Sequence, residues 1–170
     1  MHLIEGIKSR RSIRKFTDQD ISKTDIQDII ECWMHAPSAH NQQAREFFII
    51  DKQEEKDFLT EQLTYGKMIS WSNKAIICCF NKEHLKSPNY IAEDMGACCQ
   101  NMLLAAHEKG IGGVWVGIYP EEVESWKQIK EHFQLPKEIE VFNIIALGYP
   151  DPNGKQRNKE CIKPERIHWL

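Results

Sequence analysis

The chain has 170 residues, a length typical of one domain built around one main core. Its formal net charge is −3, so it lacks the excess of basic side chains that nucleic-acid binding requires. No apolar run approaches the roughly 20 residues that span a bilayer. Glu5, Lys8 and Arg10 interrupt the stretch where a signal peptide would have its apolar segment. We therefore expect a cytoplasmic protein that has neither nucleic acid nor a membrane as its partner.

The predicted helices and strands alternate along the chain. Apolar side chains recur at helical spacing after Ser22 or Thr24, either of which can cap a helix. Residues 89–109 are apolar nearly all round, which is typical of a central helix. The predicted helices cover residues 2–9, 22–33, 54–63, 89–109 and 120–133, and the predicted strands cover residues 47–50, 75–80, 114–118 and 141–148. This alternation favours an α/β or α+β domain around one buried sheet.

The cysteines do not form a metal-binding or disulfide pattern. The chain has 6 cysteines, four of them in the adjacent pairs Cys78-Cys79 and Cys98-Cys99, with Cys32 and Cys161 alone. There is no C-x-x-C spacing. We expect all of them to be small buried side chains in a reducing compartment, and we expect no metal.

A basic segment, Arg10-Arg11-Ser12-Ile13-Arg14, follows the first predicted helix. Arginine side chains bind phosphate oxygens in pairs of hydrogen bonds, and a serine hydroxyl adds another donor. Taken alone, the segment is more typical of a solvated charged turn. Two interpretations also apply to Lys155 and Arg157, after the last strand: a second phosphate contact or a solvated basic tail.

The loop after the second helix contains Pro37, Ser38, Ala39, Asn41 and Gln43. Its small residues would let a planar ligand approach the backbone, and its polar side chains could hydrogen-bond the rim of a flavin ring. It could also be an ordinary connection between a helix and a strand.

A glycine-rich stretch covers residues 110–117. It follows a helix and precedes a strand, the reverse of the dinucleotide-binding fingerprint, and it lacks the lysine of a P-loop. Both nucleotide-loop interpretations are therefore excluded. Two interpretations stay open: a strand over which a ring could lie, and the end of a helix followed by an ordinary core strand.

Taken together, the order and spacing of these segments resemble the nitroreductase family of FMN enzymes, in its short form. The motifs that carry the resemblance are the basic segment, the loop at residues 36–43, Asp94 and Gln100-Asn101 on the long helix, the strand Gly113-Val114-Trp115-Val116-Gly117, and Ala146-Leu147-Gly148-Tyr149-Pro150. The resemblance covers nearly the whole chain. It implies an α+β fold with a mixed, mostly antiparallel central sheet sandwiched by helices. It also implies an intertwined homodimer with FMN sites at its interface.

The resemblance also implies which residues bind FMN. The phosphate would contact Arg10, Arg11, Ser12, Arg14, Lys155 and Arg157; the ring edge near N5 would contact Val116, Gly117 and Ile118; and the partner chain would supply Pro37, Ser38, Ala39 and Asn41. Gln43 could bind the ring rim, and Asp94 lies where the family often has a polar residue near the flavin. The family's Gln-Pro-Trp is Gln43-Ala44-Arg45 here, which is a departure.

The implied reaction is ping-pong. NADH or NADPH gives hydride to flavin N5, and a nitroaromatic, a quinone or another electron-poor acceptor then takes it, with no catalytic side chain required. The stretch between Leu63 and Ala75 is short, which predicts a shallow, open pocket. Three alternatives stay open: an FMN-binding carrier or sensor with little turnover, a flavin reductase or other enzyme on the same scaffold, and a flavin-free binding domain.

Overall fold

The structure, a computed structural model, describes residues 2–119, 123–154 and 163–170. Within them, four strands form one sheet in the order β1-β2-β4-β3, with every neighbouring pair antiparallel. The strands are β1 (Arg45–Ile50), β2 (Lys74–Asn81), β3 (Gly112–Gly117) and β4 (Ile139–Gly148). Helices cover both faces of this sheet. The α+β class is therefore confirmed.

The helices match the sequence prediction to within a few residues, with one addition. They are α1 (Leu3–Ser9), α2 (Lys23–Met34), α3 (Gln53–Gln62), α4 (Lys67–Ser70), α5 (Ile91–Glu108) and α6 (Val123–His132). The four-residue helix α4 was not predicted, since a single turn leaves no periodic pattern in the sequence. The predicted start of the last helix at residue 120 lies outside the described residues. None of the helices in the described part of the chain is long and apolar enough to cross a membrane.

The two faces of the sheet bury separate apolar clusters. Consecutive residues of a strand point to opposite faces, so Ile145 joins the cluster under α2 and α5 while Ile144 joins the cluster under α3 and α6. The central strands β2 and β4 are buried on both faces, which explains their continuous apolar runs. Ser22 caps α2 by accepting a hydrogen bond from Asp25 N at 3.0 Å, a contact typically worth about 1 kcal/mol.

The cysteines follow the expectation with one exception. Cys78, Cys79, Cys98 and Cys99 are buried and unbridged. Burial raises the pKa of Cys78, Cys79 and Cys98, which keeps these thiols protonated and unreactive. The expectation was wrong for Cys32, which is exposed because it lies on the outward face of α2. Cys161 lies outside the described residues.

Backbone hydrogen bonds hold the basic segment against the end of the sheet. Ile13 N donates to Gly113 O at 3.0 Å, at the start of β3. Beyond β4, Asp151 N donates to Lys15 O at 3.0 Å. Ser12 and Gly113 also form an isolated parallel bridge, the one parallel pairing within the described residues.

Two glycines make this close approach possible. A Cβ atom at Gly112 would lie 2.7 Å from Ile13 Cβ, and one at Gly148 would lie 2.7 Å from the Phe16 ring. Cβ atoms in folded proteins essentially never come so close to non-bonded atoms, so a larger residue would push the basic segment off the sheet.

We expect Gly112→Ala to lower the free energy of unfolding by about 1–3 kcal/mol, because Ile13 or the backbone must move. Gly96→Ala is the matched control, since a Cβ at Gly96 meets nothing within 4 Å and alanine favours a helix interior. Urea unfolding of both variants provides the measurement. Equal stability of Gly112→Ala and the unaltered protein would contradict the close packing.

Candidate functional site

Two cavities adjoin the basic segment. The first, which we call the basic cavity, has a volume of about 340 Å³. It is lined by Ser12, Ile13, Arg14, Lys15, Pro150, Asp151, Asn153 and Gly154. Among its described lining residues are two cations, Arg14 and Lys15, and one carboxylate, Asp151, a balance of charge that favours an anion.

The second cavity lies along the edge strand β3, and we call it the strand cavity. It has a volume of about 650 Å³, within the range of about 300–1,000 Å³ that is common for cofactor sites. It is lined by Arg14, Thr64, Tyr65, Lys67, Met68, Val114, Trp115, Val116 and Gly117. Arg14 lines both cavities. The two cavities therefore meet at this one side chain.

The three arginines of the basic segment have different surroundings. Arg11 Nη1 donates to Lys8 O at 2.6 Å and to Arg10 O at 2.9 Å, so its guanidinium covers the carbonyl end of α1. Arg14 is exposed, and its Nη1 lies 3.5 Å from Ser12 O. Arg10 is half-buried, and its Nη1 is buried without a hydrogen-bond partner in the described part of the chain.

Arg10 therefore carries an uncompensated donor. A buried guanidinium nitrogen without an acceptor is costly, and an anion would satisfy it. Burial and the neighbouring Arg11 both lower the pKa of Arg10. His107, near the end of α5, shares this environment, because burial, then Arg10, and also Arg11 lower its pKa. Its Nε2 lies 2.8 Å from Ser9 Oγ.

Residues 37–43 lie apart from both cavities, since none of them is among the lining residues. Ser38 Oγ accepts a hydrogen bond from Gln43 N at 3.1 Å, and Gln43 Nε2 donates to Asn41 Oδ1 at 2.6 Å. His40, Asn41 and Gln43 have φ values of 49°, 51° and 45°. This left-handed conformation costs about 1–3 kcal/mol for each such residue, so the surroundings must hold it.

Asp94 lies beneath this loop, in the first turn of α5. It is 8% exposed. Its Oδ1 accepts from Ala39 N at 2.9 Å and its Oδ2 accepts from Gln42 Nε2 at 2.6 Å. Both carboxylate oxygens therefore bind the loop of the same chain, and Asp94 lines neither cavity.

The remaining residues expected to bind FMN divide into three groups. Val116 and Gly117 line the strand cavity. Ile118 is 1% exposed, lies beyond the end of β3 and lines neither cavity. Lys155 and Arg157 lie outside the described residues, and the last described residue before them, Gly154, lines the basic cavity.

Sequence reasoning missed the opposite wall of the strand cavity. This wall consists of Thr64, Tyr65, Lys67 and Met68, in and before α4. Packing between distant parts of the chain brings them to β3, and no local pattern records that. Lys67 is the notable addition, because it places a second cation beside Arg14 in the cavity lining. No cluster that could hold a metal ion occurs among the residues described.

Comparisons with known proteins identify the family of this chain. The family model described as "Nitroreductase family" matches residues 7–76 and 64–149. An Archaeoglobus fulgidus protein named "Putative NADH dehydrogenase/NAD(P)H nitroreductase" is 38% identical over 97% of this chain and 95% of its own.

Solved structures show the same fold. An FMN-dependent nitroreductase from Clostridium difficile has a TM-score of 0.86 and 29% identity, covering 98% of both chains. The NADPH:FMN oxidoreductase of Vibrio harveyi, complexed with NAD⁺, has a TM-score of 0.79 and 25% identity, covering 99% of this chain and 79% of its own. The resemblance drawn from the motifs is confirmed, and this chain belongs to the nitroreductase family.

Proposed function

We propose that the protein is an FMN-dependent oxidoreductase that passes two electrons from NADH or NADPH to nitroaromatics, quinones or similar electron-poor acceptors. The observation that carries this proposal is the position of Arg14 between a basic cavity and a larger cavity along β3. FMN has the matching shape, with a phosphate at one end and a planar ring at the other. The names of the relatives, an FMN-dependent nitroreductase among them, support the same cofactor and reaction class.

The residues present fit FMN. Arg10 lines neither cavity, but its buried Nη1 lacks an acceptor within the described residues, and a phosphate bound beside Ser12 would supply one. Ser12, Arg14 and Lys15 line the basic cavity and would bind the phosphate through charge-assisted hydrogen bonds. Lys155 and Arg157 remain part of the proposal as further phosphate contacts.

The strand cavity would hold the ring. Val116 and Gly117 would lie along the ring, and the missing side chain at Gly117 leaves room for it. FMN accepts a hydride and then gives it up, and its ring carries more negative charge in between. Lys67 would stabilise that charge, and Tyr65, on the exposed rim, offers a face on which a planar acceptor can stack.

The proposal includes a homodimer. The loop at residues 37–43 lines neither cavity of its own chain, so its expected contact with the ring requires a second copy. An apolar surface supports this, since Leu3 and Ile4 of α1 are 71% and 67% exposed. Leu3 also lines an open groove together with Cys32 and Leu104, on α2 and α5. Soluble proteins seldom leave such surfaces bare, and they commonly mark an interface.

We expect Arg14→Ala to weaken FMN binding by about 10- to 100-fold, because a charge-assisted hydrogen bond to the phosphate is lost. Lys23→Ala is the matched control. It removes an exposed cation at the start of α2 that lines neither cavity, so its loss should change the affinity less than about 3-fold. Quenching of FMN fluorescence gives both dissociation constants. An Arg14→Ala protein that binds FMN as tightly as the unaltered protein would refute the assignment.

We expect FMN to raise the pKa of His107, because the phosphate offsets the charge of Arg10. Without FMN, this pKa lies below the ordinary 6.5, so stability is lost as pH falls from 6.5 through the folded pKa. A rise in the pKa on binding means that FMN affinity falls as pH increases through this titration. NMR titration of His107 with and without FMN measures the shift. In the FMN-free protein, Arg10→Met should raise the pKa of His107, whereas Arg10→Lys should not. A His107 pKa that is the same with and without FMN would contradict a phosphate beside Arg10.

Mixed dimers test whether the site spans two chains. One chain carries Arg14→Ala and the other carries Ser38→Ala with Asn41→Ala, each with its own affinity tag. In a mixed dimer, one site has both defects and the other has none. We expect purified mixed dimers to bind one FMN at a concentration where neither parent dimer binds it. Mixed dimers as deficient as their parents would show that each site is built within one chain.

A further inference from the structure

We propose that Asp94 and Gln42 are positioning residues that hold the loop at residues 37–43 in the shape that meets the ring of FMN. The inference rests on the proposed function for its consequence, but the contacts themselves lie within one chain. In this proposal, Asp94 affects FMN binding by holding the loop in place, and not by contacting the flavin.

The first observation is the pairing of Asp94. The side chain is 8% exposed, and its two oxygens accept hydrogen bonds from Ala39 N at 2.9 Å and Gln42 Nε2 at 2.6 Å. A buried carboxylate is tolerated where donors surround it, and here both donors belong to the loop. Asp94 therefore fixes the loop to the start of α5 at two points.

The second observation is that the orientation of the Gln42 amide is fixed. Gln42 is 5% exposed, and its Oε1 accepts from Lys86 N at 3.1 Å and from Ser87 N at 3.0 Å. Its Nε2 faces Asp94. A flipped amide would set its donors against the two backbone N–H groups and its oxygen against the carboxylate. Gln42 thus connects the loop to both the turn before α5 and α5 itself.

The third observation is the strained backbone conformation that these contacts stabilise. His40 and Asn41 precede Gln42, Gln43 follows it, and all three adopt the left-handed conformation. Such a conformation persists where the surroundings over-determine it. His40 Nδ1 also lies 2.6 Å from Ser87 Oγ, which adds a second link to the same turn. Without the clamp of Asp94 and Gln42, the loop would relax, and the polar groups of half-buried Ser38 and exposed Asn41 would lose their fixed positions.

Asp94→Asn tests the clamp, because the amide keeps one acceptor where the carboxylate has two, so that either Ala39 N or Gln42 Nε2 then faces a donor. We expect faster hydrogen exchange at residues 37–43 in the FMN-free protein and FMN binding that is weaker by about 10-fold. Adding Gln42→Glu to Asp94→Asn supplies an acceptor opposite the new donor and keeps one for the N–H groups of Lys86 and Ser87. This double variant should restore slow exchange and bring the affinity back to within about 3-fold of the unaltered protein.

Glu93→Gln is the matched control, since it removes an exposed carboxylate one residue away on the same helix. Circular dichroism confirms that each variant is folded. Unchanged exchange in Asp94→Asn would overturn the proposal. So would weaker FMN binding that Gln42→Glu does not rescue, because that result indicates direct contact between Asp94 and the flavin. If the unaltered protein bound no FMN, the proposed function would fail, while exchange in the FMN-free protein would still decide whether the clamp exists.

Discussion

The candidate site depends on the backbone contact between the basic segment and the end of the sheet. Hydrogen bonds from Ile13 N to Gly113 O and from Asp151 N to Lys15 O hold this segment against β3 and the end of β4. That position brings Arg14 to the boundary between the two cavities. On a free turn, the backbone of each residue would have to be ordered on binding, at a cost of about 1–2 kcal/mol per residue. A segment already held against the sheet avoids much of that backbone cost.

The other half of the proposed site is held in a different way. The loop at residues 37–43 has strained backbone angles, and it is kept in shape by side chains buried beneath it. One half of the site is thus positioned by backbone hydrogen bonds to a sheet. The other is positioned by the carboxylate of Asp94, at the start of α5, and by the amide of Gln42, within the loop. In the proposed dimer, the two halves that meet at one FMN belong to different chains, so the interface sets their separation. In such a dimer, flavin binding would depend on assembly.

The sequence predicted the parts of the fold that local patterns record. Strands β2 and β4 were evident because both of their faces are buried, and α2 was evident from its cap and its apolar spacing. Helix α4 and Lys67 were not predicted, because one helical turn has no period and its place beside β3 depends on distant packing. The differing surroundings of Arg10, Arg11 and Arg14 were also beyond local reasoning. Likewise, Gln42 contacts Asp94 and Ser87, which are 52 and 45 residues away along the chain.

The central claim is that FMN bound at these cavities carries electrons from a nicotinamide to an acceptor. Its most direct test is to saturate the purified protein with FMN, remove oxygen, and follow flavin absorbance after adding NADH or NADPH. The account predicts that the yellow colour is lost with at least one of the two nicotinamides and returns when menadione or a nitrofuran is added. A protein that takes up no FMN, or one whose bound flavin keeps its colour with both nicotinamides, would contradict it.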